Sequence, residues 1–447
     1  MRNYEYEVPV SKKNYSIVKD DSKCITCGQC KKICANEITV AKMFEVNPNN
    51  EPICINCGQC TNICPTEALH EKYDYTKVKK ILHNKKDNIV VFSIAPTVSV
   101  SIVEEFGLTP GINLEQKLPT ALKSLGADYV FNTSVGTNLT IMEEATELVE
   151  RIKNKDLRPL FTSHCPAWVK YCEIFYPELI ENISTTKSPI TNQSTIIKTY
   201  FKQKIKKDKI INIVVTSCTA TKTEIHRKKI NVTSLDTNYS LTTRELSLLF
   251  KEENINLINC KNSTYDSQIN TDSNNEIIYG KTGSLCKSVI SVAYYLLTNT
   301  NLPKEEILFT PSKEIPGIQE LTINIKNQNV KIAICNGIKN AKDLIDKLIN
   351  KEVYFDFIEI MNCKDGCING GGQPKITLLN MKNTKTARMN TLNQKEENTK
   401  FKYCYEDSKI KDIYKEYLEY PNSKISNQLL HTKYCDKSYL LKGEEHE

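Results

Sequence analysis

The stretch Glu359-Ile360-Met361-Asn362-Cys363-Lys364-Asp365-Gly366-Cys367-Ile368-Asn369-Gly370-Gly371-Gly372-Gln373-Pro374 decides how the chain is read. An apolar run, Tyr354 to Ile360, leads into it and reads as a buried strand. Two thiols four residues apart stand at the strand's end, and three consecutive glycines follow. Thiolates are soft ligands suited to iron–sulfur clusters or zinc. Glycines let the backbone come close to a bulky group and offer its N–H donors to it. The plain alternative is a strand ending in a glycine turn with two incidental cysteines. Against it, two other cysteines, Cys165 and Cys218, also sit at the ends of strand-like runs.

Outward from that stretch, strands and helices alternate, which argues a layered α/β domain with largely parallel sheets. Asn88 to Ile94 reads as a strand running into Ala95-Pro96-Thr97, and Val98 to Phe106 as a helix stopped by Gly107. Ala127 to Asn132 is a further strand. Leu139 to Lys153 is an amphipathic helix with Ile141, Ala145, Leu148 and Ile152 on one side. Leu160-Phe161-Thr162 runs into Ser163-His164-Cys165-Pro166-Ala167-Trp168, and Ile211 to Val215 into Thr216-Ser217-Cys218-Thr219-Ala220-Thr221-Lys222-Thr223-Glu224. Ligands collect at the carboxyl ends of strands in open α/β sheets, so the three cysteine loops are expected to converge.

The first eighty residues hold a repeat. Cys24-Ile-Thr-Cys27-Gly-Gln-Cys30-Lys-Lys-Ile-Cys34 recurs as Cys54-Ile-Asn-Cys57-Gly-Gln-Cys60-Thr-Asn-Ile-Cys64-Pro65. This spacing is the bacterial ferredoxin run, in which the fourth cysteine ligates the other cluster. Cys24, Cys27, Cys30 and Cys64 are therefore assigned to one 4Fe–4S cluster, and Cys54, Cys57, Cys60 and Cys34 to a second. Two adjacent clusters make an electron wire.

Eighteen cysteines in 447 residues is a high count. Met1 to Val10 shows no apolar signal-peptide core and no twin-arginine pair occurs, so a cytoplasmic location is expected. Cysteines there read as metal ligands or reduced thiols. The longest apolar segment, Ile89 to Val103, is short and interrupted by polar residues, which argues against a membrane span. The net charge of +7 suits docking of an acidic electron carrier. No basic stretch is interleaved with aromatics, so nucleic acid is not an expected partner. Asn256 to Glu276 reads as a polar surface loop, Met381 to about Lys400 as a mobile patch, and Ser408 to Glu419 as a helix. Cys172, Cys260, Cys286, Cys335, Cys404 and Cys435 match no further cluster spacing and read as buried or idle thiols.

The opening stretch, read as M-x-C-x-x-G-C-x-x-G-G-G-Q-P, resembles the last signature of the iron-only (FeFe) hydrogenases. The Cys165 and Cys218 loops resemble that family's T-S-C-C-P-x-W and M-P-C-x-x-K-x-x-E signatures. Tyr279-Gly280-Lys281-Thr282-Gly283 resembles its F-G-x-T-G-G, and Leu429 to Tyr434 its small-subunit tail. The resemblance implies an N-terminal α+β bacterial-type ferredoxin domain over 1–82. It implies a two-lobed α/β catalytic domain over 88–380, with mixed, largely parallel sheets flanked by helices and lobes at about 88–206 and 207–380. A small-subunit-like tail would cover 381–447.

By the same resemblance, Cys165, Cys218, Cys363 and Cys367 would hold a cubane, with Cys367 bridging to a two-iron unit that carries CO, cyanide and azadithiolate. Together these make the H-cluster, which Ala95, Pro96, Thr97, Met361, Gly371 and Gln373 would line. The reaction implied is reversible H2 oxidation and proton reduction, with ferredoxin or flavodoxin as carrier and dedicated maturation enzymes as partners. Glu144, Glu147 and Arg151 share one helix stripe; taken alone they read as a solvated charged face. The resemblance assigns them, with Ser184, to an outer proton relay.

The chain also departs from the family pattern. His164 stands where a second cysteine would pass protons to the two-iron unit, either carrying protons itself or merely filling the gap. Thr221 stands for the lysine that would donate to a cyanide, with Lys222 one position on. Thr216-Ser217 replaces Met-Pro, Ile190 a glutamine and Ala35 a proline, while Met361 and Glu224 are kept. Ligands are intact and their surroundings altered, which points to a slow or biased enzyme or to an H2 or redox sensor of the same architecture. A third reading is an iron–sulfur scaffold like the Narf-like eukaryotic homologues.

Overall fold

The computed structural model describes residues 6–43, 46, 49, 51–227, 236–271, 279–377, 379–397 and 403–442. Near the N-terminus, β1 (Ile17–Lys19) pairs antiparallel with β2 (Leu69–Glu71), beside helices Gln29–Asn36 and Gln59–Ile63. Each of those helices starts inside one copy of the cysteine repeat. Val8, Ile17, Ala41, Ala68 and Leu69 form the small apolar core of this unit.

Two sheets build the rest. The first is wholly parallel, with β3 (Ile89–Ile94) and β6 (Ile210–Thr216) central and β4 (Tyr129–Asn132) and β7 (Tyr239–Thr242) at the edges. Val90, Val91, Phe92 and Ile94 of β3 are all buried, as in parallel strands covered on both faces. The second sheet runs β5 (Leu160–Phe161), β11 (Phe357–Met361), β10 (Gln328–Asn336), β9 (Ile318–Ile325), β8 (Thr310–Pro311). Its first three strands are parallel, and β9 and β8 add antiparallel pairs. β9 and β10 join through Lys326-Asn327, both at positive φ, the backbone of a tight two-residue hairpin.

Several expectations need correction. The sheets do not divide the chain at 206/207, because β6 lies beside β3 while β5 lies beside β11. Parallel neighbours are always reached by a crossover, so the chain can visit the second sheet at β5 and return. Val98 to Phe106 is not one helix; a turn at Pro96–Ser99 precedes a 3-10 stretch, Ile102–Phe106, which ends at Gly107. The Asn- and Lys-rich patch is helical over Met381–Glu397. Its inward stripe is Thr384, Arg388, Thr391 and Leu392, a helical spacing that a search for apolar periodicity overlooks. Arg388 anchors it through a two-pronged bond to Glu104, 2.7 and 2.6 Å. The polar loop after Asn256 is partly built in, since Asp266 exchanges bonds with the backbone of Val130. The remainder of that loop, 272–276, and residues 277–278 and 398–400 lie outside the described residues.

Candidate metal centre

β5, β6 and β11 end on the same side, and their loops carry Cys165, Cys218, Cys363 and Cys367 to one place. These four cysteines line a single cavity with Met361, Asn362, Pro166, Ala167, Gly370 and Cys57. No carboxylate lines it. Burial pushes the Cys165 and Cys218 thiols up to about 12, and neighbouring sulfurs add to this, Cys363 for the first and Cys165 and Cys363 for the second. Cys367 is raised well above the usual thiol range by burial and then by the other three. Buried sulfurs that repel one another fit a cluster whose irons supply the compensating positive charge. Among the described residues no three Cys, His, Asp or Glu groups converge on one ion-sized point. A cubane needs its thiolates spread around a box instead.

The ferredoxin-like unit is locked against this cavity. A β-carbon on Gly58 would fall 2.3 Å from Thr219 Oγ1, and one on Gly371 would fall 2.1 Å from the Cys57 carbonyl. Side chains at either position would push the two units apart. Gln59, between Cys57 and Cys60, donates to Cys363 Sγ at 3.2 Å and to the Asn369 carbonyl at 2.8 Å. Cys34, Cys54, Cys57 and Cys60 line a second cavity, otherwise walled by apolar residues such as Ile17, Ile38 and Ile55. Cys24, Cys30 and Cys64 meet beside Leu69, and the Cys30 thiol is raised by burial and by Cys64 and Cys27. Cys34 therefore lies with the cysteines of the second run, and Cys64 beside Cys30 of the first.

Arg244, just after β7, ties the units further. It bonds both Glu71 oxygens, Thr61 Oγ1 (2.9 Å) and the carbonyls of Gly371 (2.8 Å) and Gln373 (2.5 Å). Gln373 in turn donates to the Thr97 carbonyl at 3.1 Å, and Thr97 Oγ1 donates to Ser217 Oγ at 3.0 Å. Ala95 and Pro96 are buried beside them.

His164 is buried, with Nε2 3.0 Å from Met361 Sδ and its ring edge toward Tyr279. Its Nδ1 has no hydrogen-bond partner among the described residues. Burial lowers its pKa to about 4, so the ring is neutral at physiological pH. Lys222 does not serve the cavity. Its Nζ lies 3.0 Å from Asp74 and 2.9 Å from Glu245, at the junction with the N-terminal unit. Glu224, which would partner the missing lysine, is half-buried, with Oε2 unpartnered among the described residues.

The Ser134–Asn154 helix carries the carboxylates. Glu144 Oε1 accepts from the Ser163 backbone at 3.3 Å; burial and then the charge of Glu147 push Glu144 well above the usual carboxylate range. Glu147 accepts from the Thr185 backbone at 3.1 Å. Burial would raise Glu147 too, but His431 outweighs it and holds the carboxyl low. Ser184 lies against both glutamates. Arg151 does not join them, because its guanidinium donates to the carbonyls of Arg158, Pro159 and Glu181 at 3.1–3.2 Å. The cation beside Glu147 is His431, which lies within the Leu429 to Tyr434 tail motif.

The iron-only hydrogenase large subunit, C-terminal domain, matches residues 88–371; the iron hydrogenase small subunit matches 382–437, and a 4Fe-4S binding domain matches 50–70. Iron hydrogenase 1 of Clostridium pasteurianum is 32% identical over 95% of this chain and 77% of its own length. The cytosolic Fe-S cluster assembly factor narfl of Danio rerio is 26% identical over 83% of this chain and 92% of its own. A solved variant of [FeFe]-hydrogenase HydA1 from Chlamydomonas reinhardtii superposes with a TM-score of 0.74 at 29% identity, covering 81% of this chain and 99% of that one. Among the described residues no helix is long and apolar enough to cross a membrane.

Proposed function

The chain belongs to the iron-only hydrogenase family, and on that premise we propose that it catalyses reversible H2 oxidation and proton reduction at a six-iron H-cluster. The observation that carries this reading is the single cavity shared by Cys165, Cys218, Cys363 and Cys367, with Cys57 in its wall. Those four cysteines hold the H-cluster, and the two ferredoxin-type sets hold two 4Fe–4S clusters. When bound, the clusters supply electron transfer and the activation of hydrogen, while the protein supplies orientation, protons and exclusion of water. Ferredoxin or flavodoxin delivers the electrons in the cytoplasm, and dedicated maturation enzymes install the two-iron unit.

The residues divide the work. Gln59 spans from the ferredoxin-type set to the sulfur of Cys363 and lies on the electron route. Glu144, neutral through burial, can hold a proton near the Ser163 loop, and Ser184 stands between it and the ionised Glu147. Met361 positions the ring of His164 in the gap that a thiol fills elsewhere in the family.

One observation favours a second reading, an H2 or redox sensor with low turnover. His164 is neutral and has no polar partner besides the thioether among the described residues, so it is a poor proton acceptor at the inner end of the relay. Infrared spectroscopy of protein matured with the dedicated assembly enzymes, followed by H2 uptake and evolution assays, separates the cases. CO and cyanide stretches with sustained turnover are expected. Stretches without turnover support the sensor, and no stretches at all support an iron–sulfur scaffold instead.

A further inference from the structure

The outer end of the carboxylate line carries a feature that the relay does not absorb. His431, in the C-terminal tail, inserts between two glutamates one helical turn apart. Its Nε2 is 3.1 Å from Glu143 Oε2, while Nδ1 lies 2.7 Å from Thr185 Oγ1 and 3.4 Å from Glu147 Oε1. The tail is seated there by backbone: Thr186 and His431 form an antiparallel bridge, Lys187 N donates to the Leu430 carbonyl, and Thr432 N donates to the Thr185 carbonyl. Glu143 is itself saturated, accepting from the Tyr414 hydroxyl (2.6 Å), the Asn422 backbone (2.7 Å) and Ser426 Oγ. A wholly buried carboxylate with that many donors is anchored, not mobile. Nε2 faces a carboxylate, and Nδ1 faces a hydroxyl that itself donates to Glu147, so a doubly protonated ring satisfies both contacts. Arg151 is unavailable for the task, because three carbonyls occupy its guanidinium.

Building on the hydrogenase reading, we infer that His431 is a positioning residue whose positive charge holds Glu147 ionised as the outer proton acceptor, so that docking of the tail sets the mouth of the proton path. Glu143 clamps the imidazolium from one side and leaves Glu147 free to take and lose a proton on the other. The charged and titratable groups packed around the ring are Glu143 and Glu147 on their helix, Tyr414, and Lys187 beside the tail. The raised pKa of His431, about 9 despite burial, agrees with this placement.

The test uses the full-length, matured protein and its His431→Gln variant. Isotope-edited infrared difference spectra report the carboxyl of Glu147, and H2 oxidation is followed over pH. Near pH 7 the variant should gain a protonated-carboxyl signal absent from the parent and lost again in His431→Gln/Glu147→Gln. Its H2 oxidation should fall about tenfold at that pH and recover as pH rises, shifting the acid limb of the profile to higher pH. His431→Lys, which restores a cation, should suppress the new carboxyl signal. Superimposable pH profiles, or no new carboxyl signal, would overturn the role of His431 while leaving the hydrogenase reading standing. A parent that shows neither CO and cyanide stretches nor turnover would overturn the hydrogenase reading and the proton role with it. Should His431→Gln fail to fold, ring-nitrogen resonances of the parent decide: a neutral His431 at pH 7.5 would overturn the inference.

Discussion

The ferredoxin-like unit and the α/β cavity solve one problem, surrounding a cluster with thiols, in opposite ways. In the first, every cysteine comes from two short runs, and a core of a few residues around Ile17 and Leu69 suffices. In the second, the thiols come from three strand ends spread over about two hundred residues of sequence, and a whole domain is spent on bringing them together. The difference lies in what can change. A contiguous run carries ligands and turn geometry as one pattern. A dispersed set is held by the sheets, so residues between the ligands, such as His164 and Thr221, can differ while the four sulfurs keep their places.

The comparison breaks most visibly at Cys367. Cys367→Ser should abolish the CO and cyanide stretches and all H2 turnover, while iron content and electron paramagnetic resonance still report both ferredoxin-type clusters. Loss of all three clusters together would mean that the two regions do not load independently.

The next effect concerns the seam. Arg244 is buried and bridges Glu71 of the N-terminal unit to the carbonyls of Gly371 and Gln373. Burial would raise the Glu71 carboxyl, but Arg244 wins and holds it at about 2. Arg244→Met strands that carboxylate, at a cost of about 3–5 kcal/mol in chemical or thermal unfolding. Because the native pKa of Glu71 is depressed, its contribution is present above the ordinary carboxylate range and lost as pH falls toward 2. The variant's deficit should therefore shrink on acidification. A deficit that does not change with pH would place its origin in lost packing.

How much of this was legible in the sequence follows the same division. Which cysteines of the repeat lie together was legible in their spacing, because spacing along the chain is spacing in space over so short a run. The four cavity cysteines were legible as strand-end residues and through the family signatures. The sheet interleaving at β5 and β6 was not, since two-residue β5 carries too little pattern to say which sheet it joins. The Met381–Glu397 helix escaped because its inward stripe is polar. His431 escaped because its partners, Glu143 and Glu147, lie nearly three hundred residues away, and Arg151 offered an obvious cation at helical spacing. Its actual partners are carbonyls, which no side-chain pattern announces.

His164 tests whether the dispersed region tolerates change in function as well as in structure. His164→Cys restores a group able to pass protons at the inner end of the relay, and H2 turnover should rise by about a hundredfold. Cluster stretches should persist in both forms. Unchanged turnover would show that proton transfer past this position does not limit the protein.

The smallest effect lies at a side chain that touches both regions. Gln59 sits in the repeat yet gives its amide N–H to Cys363 in the cavity. A donor to a cluster sulfur stabilises the more negative, reduced state, so its removal lowers the potential of that cluster. Gln59→Leu keeps the volume and removes the donor. Taking about 1 kcal/mol for the difference in hydrogen-bond strength between redox states, the potential should fall by about 40 mV. Potentiometric titration monitored by infrared and paramagnetic resonance would show whether the fall is confined to the cavity cluster. An equal fall in the cluster beside Cys57 would mean that the amide acts on the seam as a whole, and the two regions would then be one electronic unit sharing a wall.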